Sequence, residues 1–165
     1  MNNLIKFNID TLSKVLFLIE PLENVWTIKN ENFNNETIGR HVRHIIDFYL
    51  CFINHIDSNF INYDARKRNN KIESDICFAR NQIDQIIHFL KNRDLEDQKI
   101  KVRMNWSASN LNFNSSCFRE LMHVADHAIH HANLIQIIVK IEFLNLAQKC
   151  DFISPSTLDA KKCAQ

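Results

Sequence analysis

The feature that most constrains the fold is the near absence of turn-forming residues, since the chain has one glycine and two prolines among 165 residues. Tight turns use glycine for a positive φ and proline for a preset φ, and an all-β sandwich or barrel needs such turns at short intervals. Long helices joined by a few connections need far fewer of them. A chain of this length can bury one hydrophobic core, so we expect residues 1–165 to form a single, mainly helical domain.

The charge balance and the apolar runs exclude several classes of function. Twenty Lys and Arg residues stand against nineteen Asp and Glu residues, and the formal net charge is +1. Nucleic-acid-binding proteins usually concentrate basic residues on one face, so we expect no nucleic-acid partner. The chain has no run of about 18 apolar residues, and residues 1–10 lack the pattern of a signal peptide. We therefore expect a cytoplasmic protein with no membrane partner.

The cysteines agree with a reducing compartment. There are five of them, an odd number, and no two have CxxC spacing. This pattern suits neither a disulfide framework nor a thiolate zinc site. We expect buried, reduced thiols at Cys51, Cys77, Cys117, Cys150 and Cys163.

Apolar residues recur at helical spacing over four stretches of the chain, and such spacing predicts amphipathic helices. The stretches are residues 9–24, 36–58, 75–92 and 116–146. Pro21 should bend the first helix or end it early, Asn35 is a candidate N-cap of the second, and Ser115 or Ser116 can cap the fourth. Residues 62–71, with the sequence NYDARKRNNK, have the composition of an exposed loop.

The segment before the fourth helix has a different periodicity. Residues 100–106 alternate apolar and polar side chains, which predicts one short strand or extended segment without an obvious pairing partner. Four helices with this segment before the last one predict an all-α fold, a four-helix bundle. Residues 149–165 contain Pro155 and scattered charges, and we expect them to form an irregular tail.

Histidines lie at helical spacing on two of the predicted helices. His123, His127 and His131 recur every four residues, and His41 and His44 lie near the start of the second helix. Residues four apart share a helix face, with Cβ atoms about 5–6 Å apart, so two imidazoles can bind one ion. The faces concerned should pack inward, where an unpaired imidazole is costly. Spacing alone leaves two interpretations: a metal site completed from another helix, or core histidines hydrogen-bonded to their neighbours.

Two segments resemble a known family. Residues 37–49, TIGRHVRHIIDFY, resemble the second helix of the DinB/YfiT-like family of metal-binding four-helix bundles, and residues 127–135, HAIHHANLI, resemble the later HxxxH helix of that family. The resemblance implies a four-helix bundle whose metal ligands are His44, His127 and His131. It gives no fixed ligand role to His41, His123 or His130.

The resemblance also implies an activity. Characterised members of the family include transferases that join a low-molecular-weight thiol to an electrophile, so a metal-dependent S-transferase is the leading hypothesis. It implies a divalent transition metal, zinc or nickel in the first place, and a small thiol and a small electrophile as partners. A homodimer is compatible with this class of protein. Two alternatives remain open: a metal-dependent hydrolase, and a non-catalytic helical bundle that acts in binding or in stress response.

Several polar side chains near the histidines are candidate helpers. A carboxylate at Asp47 or Glu120 can accept the N–H of a ligating imidazole and fix its orientation. Arginines on the histidine-bearing helices can hold a substrate carboxylate, and these are Arg40, Arg43 and Arg119. The polar residues after the second helix can cover the mouth of the site, although a solvated loop explains them equally well; they are Tyr63, Asp64, Arg66 and Arg68.

Overall fold

A computed structural model of the protein describes residues 2–106, 109–155 and 157. Its α-helices and β-strands follow one another as α1 (Asn3–Ile19), α2 (Ile38–His55), β1 (Phe60–Asn62), α3 (Asn70–Ser74), α4 (Ile76–Asn92), β2 (Lys99–Trp106), β3 (Ser109–Ser116), α5 (Cys117–Glu142) and α6 (Leu144–Ala147).

The long helices α1, α2, α4 and α5 enclose the hydrophobic core. Both α4 and α5 pack against α1 and α2, so the apolar stripes predicted from helical spacing meet along a common axis. The largest fully buried side chains come from these helices and their connections; they include Leu12, Leu18, Ile45, Tyr49, Phe52 and Ile83.

A three-stranded mixed sheet accompanies the helices, and the prediction of an all-α four-helix bundle is therefore wrong. The strand order is β1-β2-β3, with β1 parallel to β2 and β2 antiparallel to β3. The alternating segment at residues 100–106 is confirmed as strand β2. Its partners escaped prediction because β1 has three residues and β3, with the sequence SNLNFNSS, is rich in asparagine and serine, which are poor strand formers.

Some helix ends differ from the predicted ones, and the capping side chains explain where these helices begin. Helix α1 begins at Asn3, capped by the side chain of Asn2, and ends at Ile19 before a 3-10 turn that contains Pro21. The early end at the proline is confirmed. Helix α2 is capped by the hydroxyl of Thr37, not by Asn35. Ser116 caps α5 as predicted, and its hydroxyl accepts a hydrogen bond from the Arg119 amide.

The glycine in α2 brings the histidine-bearing helix close to α3. A Cβ atom at Gly39 would lie 2.2 Å from the carbonyl oxygen of Glu73 and 2.7 Å from the indole nitrogen of Trp26. Only a residue without a side chain permits this approach. The contact fixes α3 beside the first turns of α2, where Arg43 forms an ion pair with Glu73.

The described part of the predicted tail packs against the helices. Cys150 and Phe152 are buried, and the Gln136 amide donates to the carbonyl of Cys150 at 3.1 Å. Among the other cysteines, Cys51 and Cys117 are buried as predicted, whereas Cys77 is exposed, contrary to prediction. Cys163 and the end of the tail lie outside the described residues.

None of the helices in the described part of the chain combines the length and the apolar character needed to cross a lipid bilayer.

Candidate metal centre

The histidine side chains of α2 and α5 converge at one point between the two helices. A ring nitrogen from each of His44, His127 and His131 lies within 4.8 Å of the corresponding atoms of the other two. Tetrahedral zinc with bonds of about 2.0–2.1 Å sets its ligand nitrogens about 3.4 Å apart, so the three nitrogens must move closer together to bind one ion. The structure thus brings together the three residues that the family resemblance selects.

The three rings form a nearly equilateral triangle. Their centroids are 4.8 Å apart for His44 and His127, 4.6 Å for His44 and His131, and 4.7 Å for His127 and His131. Phe48 supports this arrangement because its ring stacks on His127 at 3.9 Å. A triangle of this kind occupies one face of an ion and leaves positions for other ligands on the opposite face.

Burial keeps the three imidazoles neutral at pH 7. Burial, together with the smaller effect of the neighbouring histidines, lowers the pKa of His44 and of His131 to about 3 and that of His127 to about 4. A neutral imidazole has the lone pair that metal ligation requires. The triangle therefore presents uncharged nitrogen donors, which suit zinc, nickel, copper and iron.

His127 has a polar atom that the protein leaves unsatisfied. Its Nε2 is buried and has no hydrogen-bond partner among the described residues. A buried polar atom without a partner costs about 1–3 kcal/mol, and such an atom in a native protein calls for an explanation such as a bound ion. The orphaned nitrogen, the triangle and the neutral imidazoles together fit a divalent transition metal.

His41 is placed to orient His131. The Nδ1 atoms of the two rings are 3.0 Å apart, so one of them donates and the other accepts. When His131 donates, its proton resides on Nδ1 and its Nε2 offers a lone pair toward the centre of the triangle, which is the usual arrangement for a ligating histidine. The family resemblance assigned no fixed role to His41, although its position one turn before His44 places it on the same helix face.

Arg66 competes with an ion for His44. A guanidinium group only donates hydrogen bonds, so the contact of 3.1 Å between Arg66 Nη2 and His44 Nδ1 makes Nδ1 the acceptor and leaves the proton of the neutral ring on Nε2. Neither nitrogen of His44 can then bind a metal. Ligation by His44 therefore requires this hydrogen bond to break, whichever nitrogen faces the ion.

The remaining histidines of the two helices lie outside the triangle. The ring centroid of His123 is 6.1 Å from that of His127, and His123 packs edge-on against Tyr63. His130 is exposed at the side of His131.

The carboxylates predicted as helpers bind other partners. Asp47 is buried with an oxygen 3.6 Å from Arg43 Nε, and burial raises its pKa to about 6, against the opposing effect of Arg43. Glu120 accepts hydrogen bonds from the Tyr63 hydroxyl at 3.0 Å and from the Ser115 hydroxyl at 2.5 Å. In the described part of the chain, neither carboxylate is hydrogen-bonded to an imidazole.

The polar loop after the second helix reaches the histidine site, in agreement with one of the two interpretations left open for it. The Arg66 guanidinium lies 4.6 Å from the centroid of the Phe48 ring and donates to the Tyr63 carbonyl at 2.7 Å. The Tyr63 ring in turn stacks on Phe48 at 5.0 Å. Phe48 was not among the predicted site residues, although its position four residues after His44 places it on the histidine face of α2.

Two cavities adjoin the triangle from different sides. One of about 570 Å³ lies between the sheet and α5, and its lining includes His123, His127, Phe48, Val102, Met104 and Phe113. The other, of about 280 Å³, is bordered by His41, His44 and His131 and by the arginines Arg40, Arg43, Arg66 and Arg68. Most of the exposed surface of the first cavity is apolar, although Asp64, Arg103, Arg119 and Glu120 also line it; the second cavity is cationic.

Comparison with known proteins leaves the family open. No protein-family model, curated protein or solved structure matches this chain.

Proposed function

We propose that this protein is a metal-dependent enzyme that joins a low-molecular-weight thiol to a small electrophile. The observation that carries the proposal is the convergence of His44, His127 and His131 beside an apolar cavity. These residues would hold a divalent transition metal, zinc or nickel in the first place. When bound, the ion supplies Lewis acidity, which stabilises the thiolate form of a coordinated thiol at neutral pH.

The choice of a thiol rests on the resemblance of the two histidine-bearing segments to the DinB/YfiT-like family. In the reaction, a carbon–sulfur bond forms while the bond from that carbon to its leaving group breaks. The thiol proton passes to solvent, and the leaving group departs with the bonding electrons. No oxidant or reductant is required.

The apolar cavity suits the electrophile. Phe48 forms one wall and stacks on His127, and the sheet contributes Val102 and Met104. Apolar walls exclude water, and this protects the thiolate from solvation and favours its attack on carbon. At the polar end, Tyr63 is held in place by its hydrogen bond to Glu120.

The free thiols suit a reducing compartment, and we place the protein in the cytoplasm. Cys51 is buried, and burial raises its pKa to about 11. A thiol in that state is neither a ready nucleophile nor prone to oxidation. We therefore assign the reacting sulfur to the cosubstrate and not to Cys51.

Conjugation assays test the proposal. Untagged protein is loaded with zinc or nickel and mixed with a chlorinated aromatic electrophile and each of several cellular thiols, and product is measured by mass spectrometry. We expect conjugation above that of the metal-free protein, lost in His127→Ala and retained in His130→Ala, because His130 lies outside the triangle. If no pairing exceeds the metal-free background, the transferase proposal fails.

The same assay separates the alternative functions. A hydrolase releases the leaving group in the absence of any thiol, whereas a transferase needs the thiol for turnover. A metal-loaded protein that does neither is a binding protein.

A further inference from the structure

The smaller cavity beside the triangle has an excess of positive charge that the protein does not neutralise. Four arginines and one carboxylate, Glu36, contribute to its lining. Two of the arginines are paired: Arg40 with Glu36 at 3.0 Å, and Arg43 with both Glu73 and Asp47. Their charges are largely compensated.

The other two arginines are not compensated in this way. Arg66 binds only neutral groups, the Tyr63 carbonyl and the His44 ring, and its buried Nε has no partner among the described residues. Arg68 is exposed at the cavity mouth and forms no ion pair with a described residue. Both lie close enough to Asp47 for their charges to lower its pKa, and Asp64 has a weaker effect on Arg66. The four arginines thus face three carboxylates, Glu36, Glu73 and Asp47, which leaves an excess of one positive charge at this wall.

A bound ion increases this imbalance. The three ligand imidazoles are neutral, so a divalent cation adds two positive charges next to Arg66 and Arg68. If His44 binds an ion, its hydrogen bond with Arg66 would break, and donors of the Arg66 guanidinium would become free at the cavity wall. A planar guanidinium offers paired donors that match the two oxygens of a carboxylate.

We propose that this cationic cavity binds a carboxylate of the thiol cosubstrate, so that Arg66 and Arg68 select small anionic thiols. The inference rests on the proposed function and names the chemical class of one of its substrates. The cavity borders His44 and His131, whereas the apolar cavity borders His127. The carboxylate of the thiol and the electrophile would therefore occupy different cavities beside the triangle.

A pair of ligands that differ only in charge tests this assignment. N-acetylcysteine carries a carboxylate, and N-acetylcysteine amide is its uncharged counterpart. Binding of each to the zinc-loaded protein is measured by calorimetry. We expect the carboxylate to bind about tenfold more tightly, as one charge-assisted hydrogen-bond pair allows, and equal binding of the two ligands would overturn the proposal.

Matched variants locate the effect. In Arg68→Gln, which changes an exposed side chain, the preference should fall to about threefold or less, since one of two cations is lost; Arg66→Gln should reduce it likewise. Arg80→Gln is the control, because Arg80 pairs with Glu20 on another face of the protein and its loss should leave the preference unchanged. A full preference retained in both cavity variants would overturn the proposal.

A second measurement separates this inference from the proposed function. N-acetylalanine and its amide lack sulfur, and their binding to metal-free protein is followed by NMR shift changes. A preference for the carboxylate that is reduced in Arg68→Gln supports the anion cavity even if no thiol transfer is found. Absence of that preference in both the metal-free and the zinc-loaded protein overturns the anion cavity, even if conjugation occurs.

Discussion

At the scale of single residues, the three histidines of the triangle differ in how their nitrogens are engaged. His127 has a buried nitrogen with no described partner, His131 shares a hydrogen bond with His41, and His44 accepts one from Arg66. His127 is therefore ready to bind an ion, His131 is ready when it is the donor to His41, and His44 must first lose its bond to Arg66. This difference leads to separate predictions for His127 and His44.

Replacement of His127 should abolish tight metal binding. The variant His127→Ala loses one of the three proposed protein ligands, and we expect calorimetry to show a zinc affinity lower by about 100-fold or more. Loss of a residue that only hydrogen-bonds to a ligand already lowers metal affinity by about 10–100-fold. His130→Ala is the matched control on the same helix, and its affinity should stay close to that of the unaltered protein. Equal zinc affinity in the two variants would show that the triangle is not the metal site.

Replacement of Arg66 should strengthen metal binding. Arg66→Ala removes the donor that occupies His44 Nδ1 and also a positive charge that repels the ion. We expect zinc affinity to rise by about tenfold, the equivalent of one net hydrogen bond of about 1.4 kcal/mol. Arg68→Ala removes a charge nearby but no bond to a ligand, so its effect should be smaller. Weaker zinc binding in Arg66→Ala would contradict the competition.

The metal-free protein should lose stability as the pH falls below 6.5. The unfolded histidines take up protons near pH 6.5, whereas the folded His44, His127 and His131 do so only near pH 3–4. In this window the unfolded state binds more protons, so the free energy of unfolding decreases with acidification. Asp47, whose pKa is raised to about 6, makes the free energy of unfolding increase with acidification. This effect of one carboxyl group is smaller than that of the three histidines.

Urea unfolding at pH 7 and pH 5 measures this dependence. The midpoint should fall at pH 5, and the fall should be smaller in His127→Gln, which lacks one of the titrating groups. His88→Gln, at an exposed position on α4, should keep the full dependence. A midpoint that does not change between the two pH values would refute the prediction.

At the scale of secondary-structure elements, the contact between α2 and α3 is the most sensitive to substitution. In Gly39→Ala, the new methyl group meets the backbone of Glu73 at 2.2 Å, and a backbone atom cannot move aside as a flexible side chain can. We expect a loss of about 1–3 kcal/mol in the free energy of unfolding, typical of overpacking, despite the better helix propensity of alanine. Asn54→Ala, on the exposed side of the same helix, should stay within about 0.5 kcal/mol.

The elements also show what could be predicted from the sequence. The long helices were predicted because their apolar residues repeat over several turns, and the repeat reflects the core directly. Strand β3 was not predicted. Its Leu111 and Phe113 are partly exposed and alternate with asparagines, and this pattern also suits a loop. Leu111 and Phe113 lie opposite Met104 and Val102 in the antiparallel register. This pairing makes the segment a strand, and it cannot be inferred from the sequence of either strand alone.

At the scale of the whole molecule, the site combines segments that are far apart in the sequence. The convergence of the three histidines was predicted because residues four apart share a helix face, and because the two motifs resemble one family. Arg66 was grouped only with polar residues able to cover the site, and no helical or strand period connects it to His44. Its contact with that histidine depends on how the loop after β1 folds back over α2, which is determined by tertiary packing.

Because the ligands come from two helices, metal binding should stabilise the whole fold. An ion that bridges α2 and α5 binds the folded chain but not the unfolded one, so at 100 times its dissociation constant it adds about 2.7 kcal/mol. For a chain of this size, that corresponds to a rise of about 5–11 °C in Tm. Calorimetric scans with zinc or nickel should show this rise in the unaltered protein and in His130→Ala, and a chelator should reverse it. His127→Ala should show little change, because the remaining histidines of the triangle no longer hold the ion tightly; an equal rise in that variant would mean that the ion binds elsewhere.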